Sequence, residues 1–229
     1  MIQQTPQAEL IRRQLRDSLQ DKTRDSRILK VAKHANVYTC GEVATCSIYV
    51  IESGQVKLLT VSPEGKECIV AIHAAGDVFG ELCLTGTGER LETATAMEET
   101  ELRVVPCRQF FNLLRSDSLL EEFVRYLSVR IADQQEVITQ LATADGEHRL
   151  GTTLLELARK LGKKERHGLT IEHKVSQEEL SHMVGTTRPR VSEFMQRFRE
   201  LGLIETRAQH CLVVRDKELS DYLTQLESC

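Results

Sequence analysis

Arginine side chains recur along one face of a predicted helix between residues 188 and 199, where four arginines accompany a single acidic residue, Glu193. A guanidinium group remains charged and donates several hydrogen bonds from a rigid plane, so it can bind a phosphate or the edge of a guanine base. The expected exposed positions are Arg188, Arg190, Ser192, Arg197 and Arg199. This pattern predicts contact with nucleic acid. The simpler alternative is an ordinary helical hairpin with a solvated charged face.

Two short helices joined by a tight turn are predicted to hold these arginines. Ser176 and Glu179 have the spacing of a capping box, and Gly185 is suited to the left-handed end of the first helix. Pro189 falls in the first turn of the second helix, where its missing N–H costs little. The expected buried positions of the second helix are Val191, Phe194, Met195, Phe198 and Leu201. Together these features predict a helix-turn-helix whose second helix enters the major groove.

A longer helical segment, residues 108–143, precedes the helix-turn-helix and contains a regular apolar seam. The seam positions alternate at spacings of four and three, and they are Leu120, Val124, Leu127, Ile131, Gln134, Ile138 and Leu141. A heptad pattern favours pairing with a second helix, so we expect a parallel homodimer. The alternative is that the seam packs onto the rest of the same chain. Gln134, the polar member, either sets the register or faces a ligand.

Short apolar segments separated by glycine turns occupy residues 37–105, after a polar, helical N-terminal segment of residues 1–35. This spacing predicts an antiparallel β-roll or sandwich. Beyond the helix-turn-helix, residues 202–216 predict a two-stranded wing and residues 218–226 a short closing helix. The expected fold class is therefore α+β, with a β-roll domain at 1–107, a dimerisation helix at 108–145 and a winged helix-turn-helix domain at 146–229.

The composition narrows the class of protein. A chain of 229 residues suits two modest domains, and its net charge of −4 argues against indiscriminate coating of nucleic acid. We find no secretory signal pattern and no apolar run long enough to span a membrane, so we expect a cytoplasmic protein without membrane partners. The seven cysteines form no CxxC pair, and reduced, mostly buried thiols are expected. Neither metal-ligand spacing nor a Walker loop is present, so no metal site and no enzymatic activity are predicted.

Four motifs resemble the cyclic-AMP receptor/FNR (CRP/FNR) family of bacterial transcription regulators. They are GDVFGELCLTG at 76–86, RLETATAMEETEL at 90–102, HRLGTTLLELAR at 148–159 and SQEELSHMVGTTRPRVSEFMQRFRELGLIE at 176–205. The resemblance covers essentially the whole chain. It implies a double-stranded jelly roll of the cyclic-nucleotide-binding type, a homodimer, and a partnership with double-stranded DNA and RNA polymerase.

The resemblance also implies where an effector would bind. Gly80 would let the backbone approach an anion, Glu81 would accept from a ribose hydroxyl, and Arg90 would bind a phosphate. The implied effector-binding positions are Gly80, Glu81, Leu82, Cys83, Arg90, Leu91, Gln134 and Gln135. A cyclic nucleotide is thus a possible ligand. No iron–sulfur cluster is expected, because no cysteine cluster with the family's spacing precedes Cys40.

Departures from the cyclic-AMP pattern leave the effector open. Leu91 replaces a Ser or Thr that donates to the phosphate, and Glu92 places a carboxylate beside it. Gln134 and Gln135 stand where a Thr-Ser pair reads adenine. The alternatives are another small effector, a constitutive regulator with a degenerate pocket, or a thiol-based redox sensor in which Arg90 lowers the pKa of Cys83. A fourth possibility is a cyclic-nucleotide-binding subunit whose C-terminal domain binds protein.

For DNA, the resemblance implies that Arg188 reads a guanine through O6 and N7. The residues implied to contact phosphates are Ser176, Gln177 and Thr187. Pro189 and Glu193 differ from the family's common base-reading residues, so the operator should not be the cyclic-AMP receptor or FNR sequence. A two-fold dimer requires a pseudo-palindrome with half-sites about one helical turn apart, or a small multiple of it.

Overall fold

The computed structural model of the protein describes residues 6–24, 26–43, 46–116, 119–172, 175–207 and 211–226. The chain forms two compact units, Met1–Glu136 and Val137–Cys229, and the division falls within the long helix. No helix among the described residues is both long and apolar enough to cross a membrane.

Among the described residues up to Thr143, the chain forms a helix, eight strands, a 3-10 helix and two further helices. In chain order they are α1 Pro6–Lys22, β1 Arg27–Val31, β2 Asn36–Tyr38, β3 Ser47–Ser53, β4 Gln55–Val61, β5 Glu67–Ala74, β6 Val78–Phe79, the 3-10 helix Glu81–Thr85, β7 Thr93–Ala96, β8 Thr100–Pro106, α2 Cys107–Ser116 and α3 Leu119–Thr143. The strands form two antiparallel four-stranded sheets, β1-β8-β3-β6 and β2-β7-β4-β5. The predicted antiparallel β-roll is therefore confirmed.

Strand β3 is buried on both faces, which explains its uninterrupted apolar sequence. Successive side chains of a strand point to opposite sides. Tyr49 and Ile51 belong to the core between the two sheets. Ile48 and Val50 belong to a second core, in which α1, α2 and α3 cover the outer face of the β3 sheet. Strands covered on both faces lose the apolar–polar alternation of a half-exposed strand.

The turn after β3 requires glycine. Gly54 has φ of 88°, and a Cβ there would lie 2.7 Å from the carbonyl oxygen of Glu99. Only glycine adopts this conformation freely while approaching another backbone so closely. The tight β3–β4 connection predicted from the glycine is thus present.

Two N-terminal assignments differ from the sequence-based prediction. The segment 1–35 was expected to be helical, but helix α1 ends at Lys22 and residues Arg27–Val31 form strand β1. Strand β1 pairs antiparallel with β8, with Leu29 opposite Leu102. Strand β1 lies at the edge of its sheet and most of its side chains are exposed, so its sequence lacks the apolar pattern that would predict a strand. Pairing with β8, rather than local propensity, fixes it.

The C-terminal unit, beyond the end of α3, combines four helices and a small sheet. The elements are α4 Gly146–Leu161, β9 Lys163–Glu165, β10 Gly168–Ile171, α5 Gln177–Val184, α6 Arg188–Glu200, β11 Ile204–Thr206, β12 Leu212–Val214 and α7 Asp216–Leu226. The sheet order is β11-β12-β10-β9. The predicted two-stranded wing is therefore part of a four-stranded sheet. Strands β9 and β10, which are three and four residues long, were not predicted.

The expectation that every cysteine is a reduced thiol is wrong for two of them, since Cys46 and Cys107 form a disulfide. Pairing of β3 with β8 places Ser47 opposite Pro106. The next residues, Cys46 and Cys107, then face each other, and the Cys107 N–H donates to the Cys46 carbonyl at 2.9 Å. Their Cα atoms lie 5.4 Å apart, within the range that a disulfide spans. Among the described residues, Cys40, Cys68, Cys83 and Cys211 are free.

Candidate effector site and candidate nucleic-acid interface

Arg90, the expected phosphate ligand, is buried and turned toward the interior of the β-roll. Its Nη1 donates to the Gly80 carbonyl at 3.3 Å, and its Nη2 lies 3.5 Å from the Ser47 carbonyl and 3.4 Å from the Tyr49 hydroxyl. The guanidinium carbon also stands 4.1 Å from the centre of the Tyr38 ring. These hydrogen bonds are long, but together with the cation–π contact they hold the Arg90 guanidinium against partners inside the protein.

Gly80 is the N-cap residue of the 3-10 helix that carries Glu81, Leu82 and Cys83. It has φ of 85°, and a Cβ there would lie 2.9 Å from a ring carbon of Tyr49 and 3.1 Å from the Ser47 carbonyl. Glycine is therefore required by close packing against β3. This structural need accounts for Gly80 without any ligand.

Glu81 forms an ion pair with Arg130 of helix α3, and both side chains are largely buried. The second carboxylate oxygen of Glu81, Oε2, is also buried, and no described residue forms a hydrogen bond with it. Arg130 was not among the predicted site residues, because an arginine next to an apolar seam has the pattern of a solvated surface charge. The residues it selected on this helix, Gln134 and Gln135, are exposed.

The remaining expected effector residues divide between the surface and the interior. Leu82 and Leu91 are exposed, whereas Cys83 is buried. Glu92 is only 4% exposed and accepts a hydrogen bond from the Tyr38 hydroxyl at 3.0 Å. Burial and the nearby negative charge of Glu81 raise the pKa of the Glu92 carboxyl. Glu92 is thus directed inward and resists ionisation, rather than standing as a charged surface carboxylate.

The charge of Arg90 does act to lower the pKa of Cys83, as expected, but it does not decide the direction of the shift. Burial of the thiol has the larger effect and raises the pKa of Cys83, while the charge of Arg90 opposes it. A buried thiol loses the hydration that would stabilise its thiolate, so proximity to one cation is not sufficient for activation.

The helix-turn-helix geometry follows the local signals of the sequence. Ser176 accepts from the Glu179 N–H at 3.1 Å, and the Glu179 carboxylate accepts from the Ser176 N–H at 3.0 Å. Gly185 ends α5 with φ of 66°. Thr187 is the N-cap position of α6, and Pro189 is in its first turn. The two helices therefore begin and end where the capping residues predict.

Helix α6 buries one face and presents the other to solvent. Val191, Met195 and Phe198 are buried, whereas the exposed positions include Thr187, Arg188, Arg190 and Ser192. Leu201 was expected to complete the buried face, but it is 52% exposed. It is the C-cap residue, so the helical periodicity no longer determines its direction.

The predicted DNA contacts do not form one uniform surface. Ser176, Gln177 and Arg188 line a common cleft. Arg197 instead forms an ion pair with Glu147 at 3.1 Å. Glu147 also accepts from the Tyr222 hydroxyl at 2.6 Å, and burial, followed by this bond, raises the pKa of Tyr222 to about 12. Arg197 therefore helps to join α6 to helices α4 and α7.

The apolar seam of α3 is largely exposed in the single chain. Its exposed members are Leu120, Val124, Ile131, Gln134, Ile138 and Leu141. Leu127 is half-buried and packs against the core beneath the helices. The opposite face of α3 buries Leu119, Phe123 and Tyr126. Within the N-terminal unit, α3 therefore packs on the β-roll mainly through these three residues, and of the seam only Leu127 joins them.

Comparison with known proteins places this architecture in a family. Residues 28–117 match the family model of the cyclic nucleotide-binding domain, and residues 148–219 match that of the Crp-like helix-turn-helix domain. The CRP-like cAMP-activated global transcriptional regulator of Mycobacterium tuberculosis is 30% identical over 178 residues, 76% of this chain and 78% of that protein. The chain belongs to the CRP/FNR family.

Other relatives agree with this assignment. The fumarate and nitrate reduction regulatory protein of Escherichia coli is 25% identical over 79% of this chain and 70% of its own length. The structure of a CooA mutant from Carboxydothermus hydrogenoformans superimposes with a TM-score of 0.71, at 25% identity over 88% of this chain and 89% of that one. This CRP/FNR protein is a transcription regulator that combines a domain of the cyclic nucleotide-binding type with a DNA-binding helix-turn-helix domain, so the predicted fold class and general function are confirmed.

We predict that Glu92→Gln stabilises this CRP/FNR protein at neutral pH by on the order of 1 kcal/mol and has a smaller effect in acid. Because the pKa of Glu92 is raised in the fold, the stability that its neutral carboxyl contributes is complete below the ordinary pKa. That stability is lost as pH rises through the raised pKa. Glutamine keeps an oxygen for Tyr38 but does not ionise. Urea unfolding from about pH 4 to about pH 8 measures the difference.

The matched control is Glu89→Gln, which changes an exposed residue of the same loop and should leave the pH profile unchanged. A loss of stability in Glu92→Gln at neutral pH would contradict the prediction. It would mean that Glu92 is ionised in the fold and that Arg90 or Arg130 compensates its charge.

Proposed function

We propose that this CRP/FNR protein binds a pseudo-palindromic operator as a homodimer, with α6 in the major groove and an effector bound in the β-roll controlling binding. The observation that carries the proposal is the division of α6 into a buried apolar face and an exposed face bearing Arg188, Arg190 and Ser192. In this proposal the β-roll domain extends over 1–107, the dimerisation helix over 108–145 and the DNA-binding domain over 146–229.

Arg188 is the best-supported base contact. It is the first residue of α6, its side chain is exposed, and no other described residue forms an ion pair with it. The N-terminal residues of a recognition helix are the ones that reach base edges. Arg197 is a weaker candidate, because it would have to leave Glu147 to bind a phosphate.

Phosphate contacts are assigned to Ser176 and Gln177, at the start of α5, and to Thr187, at the start of α6. The first N–H groups of a helix are oriented toward an approaching anion, and the helix dipole favours a negative charge there. Ser176 and Gln177 line the same cleft as Arg188. One DNA strand could therefore place its phosphates against Ser176 and Gln177 while Arg188 reaches the bases in the groove. These contacts fix orientation rather than sequence preference.

The homodimer is assigned to the exposed seam of α3. Ile131 and Ile138 are 56% and 64% exposed, and an apolar row of this length on a single helix is costly in water. A second copy of the same helix offers the same row at the same spacing, as the two-fold symmetry of a palindromic operator requires.

We predict that Arg188→Ala weakens operator binding by about 1–3 kcal/mol and relaxes the preference at one base pair of each half-site. The loss follows from removing a bidentate contact to guanine. Fluorescence anisotropy at fixed salt, with a set of single-base operator variants, measures both effects. The control Arg159→Ala removes an exposed arginine from the last turn of α4 and should change neither. Unchanged affinity and unchanged base preference in Arg188→Ala would refute the assignment.

We predict that Ile131→Glu converts the dimer into monomers at micromolar concentration and abolishes tight operator binding. Glutamate suits a helix as well as isoleucine does, but it places a desolvated charge in the seam. Analytical ultracentrifugation gives the association state, and circular dichroism shows whether the helix persists. Val61→Glu alters an exposed valine at the end of β4 and serves as the control. A variant that remains dimeric would exclude the seam as the interface.

A second candidate function is constitutive DNA binding without an effector. It is favoured by the internal contacts of Arg90 with Tyr38 and Gly80, and of Glu81 with Arg130, because a ligand would have to displace them. The unpartnered Oε2 of Glu81 favours the effector-controlled regulator, since a ligand hydroxyl would satisfy that buried oxygen.

Thermal unfolding with a panel of cyclic mono- and dinucleotides separates these two candidates. For an effector-controlled regulator we expect one ligand to stabilise the protein by about 2.7 kcal/mol at a hundredfold excess over its Kd. That gain should disappear in Glu81→Gln, which disrupts the Arg130 pair. Stabilisation by no ligand, together with tight operator binding by the protein alone, would favour the constitutive candidate.

We also propose that the DNA-bound dimer contacts RNA polymerase, that the protein acts in the cytoplasm, and that it is not an enzyme. These statements rest on the regulators to which the chain is similar and on the absence of a catalytic motif from the sequence.

A further inference from the structure

Three sulfur atoms meet at the base of the β-roll, although the sequence predicted no metal site. Cys46 immediately precedes β3, Cys83 lies in the 3-10 helix, and Cys107 is the first residue of α2. The Sγ atom of Cys83 is 3.0 Å from that of Cys46 and 3.3 Å from that of Cys107. All three sulfurs lie within 4.8 Å of one another.

The disulfide leaves the third of these sulfurs without a chemical role. Cys46 and Cys107 are bonded to each other, yet Cys83 is held against both at separations shorter than non-bonded heavy atoms usually adopt. Cys83 and Cys107 are each only 8% exposed, so this contact is enforced by packing rather than by a mobile surface chain. A hydrophobic side chain would fill the same space without bringing a third sulfur against the disulfide.

Three convergent sulfurs are a donor set for a thiophilic ion when the disulfide is reduced. A zinc–sulfur bond is about 2.3 Å long, so an ion in trigonal or tetrahedral contact with three thiolates sets the sulfurs about 4 Å apart. Reduction releases Cys46 and Cys107 from their bond and lets the three sulfurs reach that spacing by small side-chain rotations. Cys46 is the most exposed of the three cysteines, so a water molecule can supply the fourth ligand.

The charges around the cluster favour a divalent ion over a monovalent one. Three thiolates and one Zn²⁺ carry a net charge of −1, which a single cation can balance. Arg90 is that cation, because it donates to the Ser47 carbonyl and its charge acts on Cys83. A monovalent ion would leave a net charge of −2 in a largely buried site, at a greater desolvation cost.

We propose that the reduced protein binds one Zn²⁺ through Cys46, Cys83 and Cys107. A dithiol reductant first supplies two electrons and two protons to the Cys46–Cys107 disulfide, giving two thiols. Zn²⁺ then displaces the three thiol protons, so binding releases protons to solvent. The disulfide form lacks two of the three ligands and does not bind zinc. Cys83 and Arg90 also belong to the expected effector residues, but zinc binding by the three cysteines does not require an effector to be bound.

A bound ion would connect three segments that adjoin the candidate effector site. Cys83 lies two residues after Glu81, and Cys107 begins the helix that leads toward α3. The disulfide joins the residue before β3 to the first residue of α2. It forms no covalent bond to the 3-10 helix. Replacing the disulfide by zinc therefore ties the 3-10 helix to both other segments.

The test uses the full-length protein, reduced with a dithiol, freed of reductant and handled without oxygen. We expect it to bind about one equivalent of Zn²⁺ by competition with a metallochromic chelator. With Co²⁺ as a probe, sulfur-to-cobalt charge-transfer absorption should appear. Cys83→Ser should lose the site, and oxidised wild-type protein should bind no zinc. The control Cys68→Ser removes an exposed cysteine of β5 and should bind zinc as the wild type does.

Thiol alkylation keeps the test decisive if Cys83→Ser does not fold. Zinc should protect Cys46, Cys83 and Cys107 of the reduced wild type from alkylation, while Cys40 and Cys68 remain reactive. The proposal is overturned if reduced wild-type protein binds no zinc, if Cys83→Ser binds it equally well, or if zinc leaves the three thiols unprotected. Protein purified without oxygen that carries iron in place of zinc would overturn it as well.

Discussion

Burial of strand β3 on both faces is the constraint on which the N-terminal unit depends. The strand supplies Tyr49 and Ile51 to the core between the sheets and Ile48 and Val50 to the core beneath the helices. A shift of one residue in its register would exchange these two sets and expose neither to water, so the register must be fixed by shape and pairing. Pairing with β8 does this, and it also brings Cys46 to Cys107.

The same strand determines the candidate effector site. Tyr49 excludes any side chain at position 80 and accepts a hydrogen bond from Arg90. The Ser47 carbonyl lies beside both Arg90 and the Cys83 sulfur. The 3-10 helix therefore packs against the buried strand β3. The carboxylate of Glu81 and the thiol of Cys83 have partners inside the protein, namely Arg130 and the Ser47 carbonyl. A ligand would enter a site whose charges already have internal partners.

Local signals predicted the helix-turn-helix well, because each of its boundaries depends on neighbouring residues. Ser176, Glu179 and Gly185 act within one or two turns of helix, and all three adopt the expected geometry. The features that the sequence did not reveal depend on distant partners. Arg130 and Glu81 are 49 residues apart, Cys46 and Cys107 are 61 apart, and β1 is a strand only because β8 is beside it. The exposed Leu201 shows that periodicity fails at a helix end.

The Glu81–Arg130 pair gives the effector domain a physical means of acting on the long helix. Both groups are largely buried, so separating them without replacement leaves a desolvated charge on each side and is strongly unfavourable. A ligand that binds Glu81 must therefore either satisfy Arg130 as well or force it to move together with α3. Because α3 also carries the exposed seam, a change at Glu81 becomes a change in the helix expected to form the dimer. The protein then has two arrangements, one with the Glu81–Arg130 pair intact and one in which Arg130 has moved together with α3. A ligand acts as an effector only to the extent that it favours one of them over the other.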